Sequence, residues 1–170
     1  VLHIGRFSEQ KNHGRLLRAF VQFHNKHSDS ELWLIGDGEK KTEIETFVCK
    51  NALSENVKFL GLQSDVHEFL READIFVLPS DYEGMPMTII EAMGTGLPCI
   101  ASNVGGIPDM ISNGVDGMLI EPNEGALVDA IESLYNDMTL RKKLGENAKK
   151  RAQSFSSEQM AREYIKVYGD

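Results

Sequence analysis

Residues 74–101 read Asp74-Ile-Phe-Val-Leu-Pro-Ser-Asp81-Tyr-Glu83-Gly-Met-Pro-Met-Thr-Ile-Ile-Glu91-Ala-Met-Gly-Thr-Gly-Leu-Pro98-Cys-Ile-Ala101. Asp74 to Leu78 and Pro98 to Ala101 are short, apolar, strand-like runs, and Ile89, Ile90, Ala92 and Met93 between them fit a helix. The same alternation continues in both directions. Val1 to Gly5, Glu31 to Ile35, Asn56 to Leu60 and Gly117 to Ile120 read as four further strands. Between them Leu16, Leu17, Phe20, Val21 and His24 recur at helical spacing, as do Ile44, Phe47 and Val48, and then Ala126, Ile131, Leu134 and Met138. Strands alternating with helices in this way predict an α/β fold, a doubly wound parallel sheet covered by helices on both faces. After about residue 123 the strands stop and a helical tail follows, with an apolar stripe at Leu140, Leu144, Ala148 and Ala152. Ser156 and Gln159 have capping-box spacing and predict a last helix ending near Tyr168.

The chain has 170 residues, 41% hydrophobic and 26% charged, and carries a formal charge of −8. That length favours one domain, 1–170, with ordinary globular composition rather than disorder. The negative field argues against general nucleic-acid binding. Cys49 and Cys99 fall in different predicted elements and form no CxxC pair, which fits a reducing, cytoplasmic compartment. No apolar run approaches the roughly 18 residues of a membrane span. The sequence opens at Val1 inside a strand-like run, so a piece of a longer protein is expected.

In such sheets ligands bind beyond the carboxyl ends of the strands. The loop after the strand ending at Leu78 carries Glu83, and Glu91 is expected in the first turn of the next helix. The free N–H groups from about Met87 to Ile89 would suit a phosphate, and the two carboxylates could accept hydrogen bonds from sugar or ribose hydroxyls. Thr88 and Glu91 could equally form a simple capping box, with Glu83 a solvated loop acid. Arg6 and Lys11 follow the first strand and could neutralise a diphosphate, or be solvated charges beside Asn12 as N-cap of the next helix. Gly36-Asp37-Gly38 lacks the third glycine of a dinucleotide fingerprint, with Lys41 in its place, and reads as a tight turn. Gly105-Gly106-Ile107-Pro108 reads as a turn that lets backbone approach a ligand or a neighbouring element closely. The five histidines show no zinc spacing. The basic run from Arg141 to Arg151, offset only by Glu146, reads as a solvated helix face, with contact to anionic lipid as the lesser alternative.

Taken together these motifs resemble the C-terminal, donor-binding domain of family 4 glycosyltransferases, the retaining group of the GT-B fold with the E-x7-E signature. The residues that carry the resemblance are Gly5-Arg6 with Lys11, Gly36-Asp37-Gly38, Glu83-Gly84 through Glu91-Ala92-Met93, Gly96-Leu97-Pro98, Gly105 to Asp109 and Asn113 to Gly117. They come in family order from Val1 to Tyr168. The resemblance implies a Rossmann-like half of a GT-B fold and transfer of a sugar from a nucleoside-diphosphate sugar, with retention, to a glycan or lipid acceptor. It implies that Arg6 and Lys11 bind the diphosphate and stabilise the leaving group. It places donor-sugar hydroxyls on Glu83 and on the amides of Gly84, Met85 and Met87, with Thr88 and Ile89 at the same helix start. Glu91 would take the ribose hydroxyls, and the turn Gly61 to Asp65 would border the base. No metal or other cofactor is implied, and UDP-sugar is the favoured donor.

Two departures from the family pattern are Gln10, where Glu is frequent, and Gly94, where Ala is usual. The larger departure is an absent N-terminal acceptor domain, so the isolated chain is expected to bind nucleotide without catalysing transfer. A peripheral place on the inner face of the cytoplasmic membrane follows at family level. Two alternatives stand beside this reading, a GT-B-like sugar-nucleotide 2-epimerase or phosphorylase-type enzyme, and a nucleotide-sugar-binding regulatory module.

Overall fold

The computed structural model describes residues 1–155. All six expected strands form: β1 (Leu2–Ile4), β2 (Leu32–Ile35), β3 (Val57–Gly61), β4 (Phe76–Leu78), β5 (Cys99–Ser102) and β6 (Met118–Ile120). They build one sheet in the order β3-β2-β1-β4-β5-β6, and each adjacent pair is parallel. The helices are α1 (His13–His24), α2 (Lys41–Lys50), α3 (His67–Glu72), α4 (Met87–Thr95), α5 (Ile107–Met110), α6 (Glu124–Asn136) and α7 (Met138–Ala152). The fold is a doubly wound, Rossmann-like α/β sheet.

Alternation along the strands assigns side chains to two apolar layers. Leu32, Leu34, Val77 and Ile100 face α1, α2 and α6, where Leu16, Phe20, Ile44 and Ile131 meet them. Leu2, Ile4, Phe76, Leu78 and Cys99 face the other way, toward Leu70, Ile89, Met93 and Ile107 of α3, α4 and α5. Helix α7 gives Leu144 to the first layer and Ala148 to the second. Strands β1, β4 and β5 are buried along their whole length, which explains why they are apolar but for His3 and Ser102.

Asn12 caps α1 as expected. Its side chain accepts the Arg15 N–H at 3.0 Å from a left-handed backbone, φ 46°, a conformation that asparagine tolerates. The predicted run from Ala126 to Met138 is not one helix. Asp137 leaves helical geometry and its carboxylate accepts the Leu140 N–H at 2.8 Å, ending α6 and starting α7. Gly105-Gly106 is a turn, but Ile107 and Pro108 open the one-turn helix α5. The Ser156/Gln159 helix lies outside the described residues.

The chain lays β1, β2 and β3 outward in one direction, then returns to place β4 on the other side of β1. The order reverses between β1 and β4. At such a switch point doubly wound folds carry a crevice at the carboxyl ends of the strands.

Candidate active site

The loop after β1 and the loop after β4 are joined along the crevice. The Asp81 N–H donates to the Gln10 carbonyl at 2.9 Å, and the Gln10 amide donates to the Tyr82 carbonyl at 2.8 Å. The Asn12 amide donates to both Asp81 oxygens, at 3.1 and 2.9 Å. Arg15 donates to the Pro79 carbonyl at 2.7 Å and to Asp81 at 2.6 Å. Arg15 and Asp81 have no part in the sequence-derived site, yet they fix its two halves to each other. Each is an ordinary polar residue in one dimension, so only the pairing of β1 with β4 reveals the role.

Within this frame Lys11 and Glu83 meet. The ammonium lies 2.5 Å from Glu83 Oε1, and the two side chains are 16% and 6% exposed. The buried Ser80 hydroxyl donates to the same oxygen at 2.6 Å, and the Gln10 amide lies 3.4 Å from Oε2. Glu83 is therefore not a solvated loop acid. A pair this buried holds by mutual compensation, because removing one member strands the other's charge away from water.

Arg6 occupies a different setting. Its side chain is 74% exposed and its guanidinium lies 3.2 Å from Glu39. With Gly5, Gly36, Asp37, Gly38, Leu62 and Gln63 it borders a groove of about 570 Å³ beyond β1, β2 and β3. Gly36 and Gly38 are required by close approach: a Cβ would come within 2.0 Å of the Gly5 carbonyl oxygen and 2.5 Å of that of Phe7. Gly36-Asp37-Gly38 is a strand-to-helix turn packed on the Arg6 loop. Of the turn Gly61 to Asp65, it is Leu62 and Gln63 that line the groove. The Gly61 carbonyl accepts from Gly36 N–H at 2.8 Å, and the Asp65 carboxylate accepts from His67 N–H at 2.9 Å.

Helix α4 starts at Met87, after Pro86, with no side-chain cap. The capping box of Thr88 and Glu91 does not form: Thr88 Oγ1 is buried without a partner among the described residues, and Glu91 is exposed in the second turn rather than the first. The Ile89 N–H turns back to the Pro86 carbonyl at 3.1 Å, and no backbone acceptor meets the Met87 or Thr88 N–H among the described residues. These amides and the helix dipole leave partial positive charge beside the Lys11–Glu83 pair. Gly84, Met85 and Met87 are exposed around it. Gly105 and Gly106 set the height of this loop. The Gly106 N–H donates to the Glu83 carbonyl at 3.1 Å, and a Cβ would lie 1.9 Å from the Glu83 carbonyl oxygen at Gly105 or 2.3 Å from that of Gly84 at Gly106.

Beneath Lys11 lie two buried histidines. His3 on β1 donates its Nδ1–H to the Val77 carbonyl at 2.8 Å, since a carbonyl only accepts. Its ring meets His13 edge-on, with centroids 4.6 Å apart. His3 Nε2 and both His13 nitrogens have no partner among the described residues. Desolvation, helped for His3 by the Lys11 charge and for His13 by His3 and Lys11, depresses His3 to about 4 and His13 to about 2. Both are neutral at pH 7, so the positive charge of the site comes from Lys11, Arg6 and the start of α4.

The basic run from Arg141 to Arg151 divides. Arg141 donates to the Leu134 and Tyr135 carbonyls and Arg151 to those of Asp109 and Met110, while Lys142, Lys143, Lys149 and Lys150 are exposed on α7. Among the described residues no group of three or more His, Cys, Asp or Glu is placed to hold a metal ion. No helix among them is long and apolar enough to cross a membrane.

A cation held against a carboxylate, next to bare helix amides, can receive a phosphate and hydroxyl groups together. Comparison with known proteins places the chain in a family. An uncharacterized glycosyltransferase of Methanocaldococcus jannaschii is 38% identical over 170 residues, covering 98% of this chain and 47% of its own length. The N-acetyl-alpha-D-glucosaminyl L-malate synthase of Bacillus anthracis is 33% identical over 172 residues, with coverages of 100% and 45%. The chain thus spans about half the length of these relatives. The crystal structure of Anabaena Alr3699/HepE in complex with UDP superposes with a TM-score of 0.91 over 99% of this chain and 48% of that one, at 24% identity, a likeness of fold to a GT-B protein. The profile of the family described as Glycosyl transferases group 1 matches residues 1–151, and the chain belongs to that family.

Proposed function

We propose that this chain is the donor-binding half of a retaining, family 4 glycosyltransferase, which moves a sugar from a nucleoside-diphosphate sugar to a glycan or lipid-linked acceptor. The observation that carries the proposal is the buried Lys11–Glu83 pair at the β1/β4 crevice, beside the uncapped start of α4. Lys11 and Arg6 receive the diphosphate and stabilise the charge that develops as it leaves, an electrostatic role that needs no metal. Glu83 accepts donor-sugar hydroxyls, with the amides of Gly84, Met85 and Met87 around them. Thr88 and Ile89 complete the helix start. Glu91 takes the ribose hydroxyls, and the base lies in the groove bordered by the turn Gly61 to Asp65. UDP is the favoured diphosphate, in keeping with the UDP held by the Anabaena protein.

An acceptor-binding domain upstream would close the cleft, and transfer requires it. The enzyme acts in the cytoplasm, at the inner face of the membrane, where Lys142, Lys143, Lys149 and Lys150 meet anionic head groups. The test is calorimetric titration with UDP, GDP and ADP in the presence of EDTA. Saturable binding of one of them, abolished by replacing Arg6 and Lys11, is expected. Absence of binding by all three, both in this chain and in one extended to its relatives' length, would overturn the assignment.

A further inference from the structure

The two oxygens of Glu83 are not equivalent. Oε1 accepts from the Lys11 ammonium at 2.5 Å and from the Ser80 hydroxyl at 2.6 Å, whereas Oε2 has only the Gln10 amide, at 3.4 Å. A carboxylate offers about four lone-pair sites, two on each oxygen. Both sites of Oε1 are occupied by short bonds, and those of Oε2 are nearly unused. Gln10 directs its amide chiefly to the Tyr82 carbonyl at 2.8 Å, so it borders Oε2 without saturating it.

We infer that Ser80 is a positioning residue, which commits Glu83 Oε1 and thereby presents Oε2 as the open acceptor for a donor hydroxyl. This deepens the donor-site assignment and rests on it. Ser80 is fully buried, and its hydroxyl makes no other side-chain bond among the described residues than the one to Glu83. It lies two residues past the end of β4, after Pro79, and sits in the same loop as Glu83, so the strand fixes the donor oxygen relative to the sheet. Lys11 alone would not fix the carboxylate plane, because an ammonium on a flexible stem can follow either oxygen as the carboxylate turns. The second, rigid donor defines which oxygen is taken. A hydroxyl that reaches the site then meets an acceptor already turned toward it, and Lys11 stays paired while it serves the phosphate through its other N–H groups.

The test compares Ser80→Ala and Ser80→Cys with the wild type. Affinities are measured for UDP, GDP and ADP and for their glucose conjugates, and the pair that binds the wild type best is used throughout. A free crystal structure of Ser80→Ala is determined in parallel. The affinity ratio of glucose conjugate to bare diphosphate should fall about tenfold in both variants, the scale of a lost hydrogen bond to a charged group, while bare diphosphate binding changes less than about twofold. The Glu83 carboxylate should be rotated in the variant crystal. Cysteine keeps the volume but donates weakly, so a wild-type ratio in Ser80→Cys would reduce Ser80 to packing and overturn the inference. Equal losses for diphosphate and conjugate, or an unmoved carboxylate, would also overturn it. Failure of every diphosphate and conjugate to bind the wild type, both as this chain and extended to its relatives' length, would instead defeat the donor-site assignment, and the variant crystal would still decide whether Ser80 orients Glu83.

Discussion

Mild acid should destabilise this protein through His3 and His13 before its carboxylates titrate. In the unfolded chain each histidine has a pKa of 6.5, whereas in the fold His3 lies at about 4 and His13 at about 2. Both folded values are depressed, so the fold refuses protons that the unfolded chain accepts. The stability is complete above pH 6.5 and is lost as pH falls toward the folded values. Between pH 7 and pH 5 the unfolded chain gains about 0.7 proton per histidine and the fold gains almost none, which costs about 2 kcal/mol for each, or about 4 kcal/mol for the pair. Asp and Glu contribute little over that interval, their ordinary values lying near 4. His13→Leu isolates the effect, because both ring nitrogens are buried without partners among the described residues and an apolar side chain leaves no new polar group stranded. Urea unfolding at pH 7, 6 and 5, followed by fluorescence of the sole tryptophan, Trp33, reads the difference. His13→Leu should lose about 2 kcal/mol less than the wild type between pH 7 and pH 5. Parallel pH dependence in the two proteins would refute the buried neutral pair.

Lys11→Ala should weaken nucleoside diphosphate ten- to a hundredfold by calorimetry, the value of about 1.5–3 kcal/mol for a charged hydrogen bond, and bare nucleoside much less. It should also lower stability to urea by about 3–5 kcal/mol, since Glu83 is left buried without its counter-ion. Arg6→Ala should weaken the diphosphate while leaving the unfolding midpoint in place, as expected for a side chain 74% exposed; a shifted midpoint would mean that its pair with Glu39 is structural. Glu91→Ala should weaken ribonucleotides more than their 2′-deoxy or 3′-deoxy analogues, and equal losses would remove Glu91 from the ribose. Gly105→Ala places a Cβ 1.9 Å from the Glu83 carbonyl oxygen, so the Glu83 loop must move; binding of the glucose conjugate should drop below detection, and unchanged binding would show that the loop tolerates the shift.

The sheet was legible because two of its central strands are buried on both faces and offer uninterrupted apolar runs: Ile75 to Leu78 and Cys99 to Ala101 announce themselves. Boundaries between helices were harder to see. Asp137 has the chemistry of an N-cap, but the apolar spacing runs through it to Met138, which the structure leaves exposed. Thr88 and Glu91 have capping-box spacing, yet Pro86 sets the start of α4 so that Glu91 falls in the second turn. At the site, Lys11 and Glu83 were singled out by their places after β1 and β4 and given roles by the family pattern, but their direct pairing was not foreseen, and Arg6 proved to stand apart from Lys11, against Glu39. Ser80, Asp81 and Arg15 escaped notice because what they do depends on residues more than sixty positions away or on the turn that Ser80 shares with Glu83. Periodicity reports burial along one element. It carries no record of which loops a reversed strand order brings face to face.

That reversed order also fixes when the site can exist. Lys11 and Glu83 are separated by 72 positions, and β1 acquires β4 as a neighbour only after β2, β3 and α3 have been made. At about 5–20 residues per second of synthesis, Glu83 follows Lys11 by roughly 4 to 14 s. During that interval β1, α1, β2, α2 and β3 can close their short-range pairings, whereas Lys11 waits with no carboxylate to meet. A chain arrested after β3 would hold half a sheet and an unmatched cation, so nucleotide binding by a growing chain would mark the moment its second half docks.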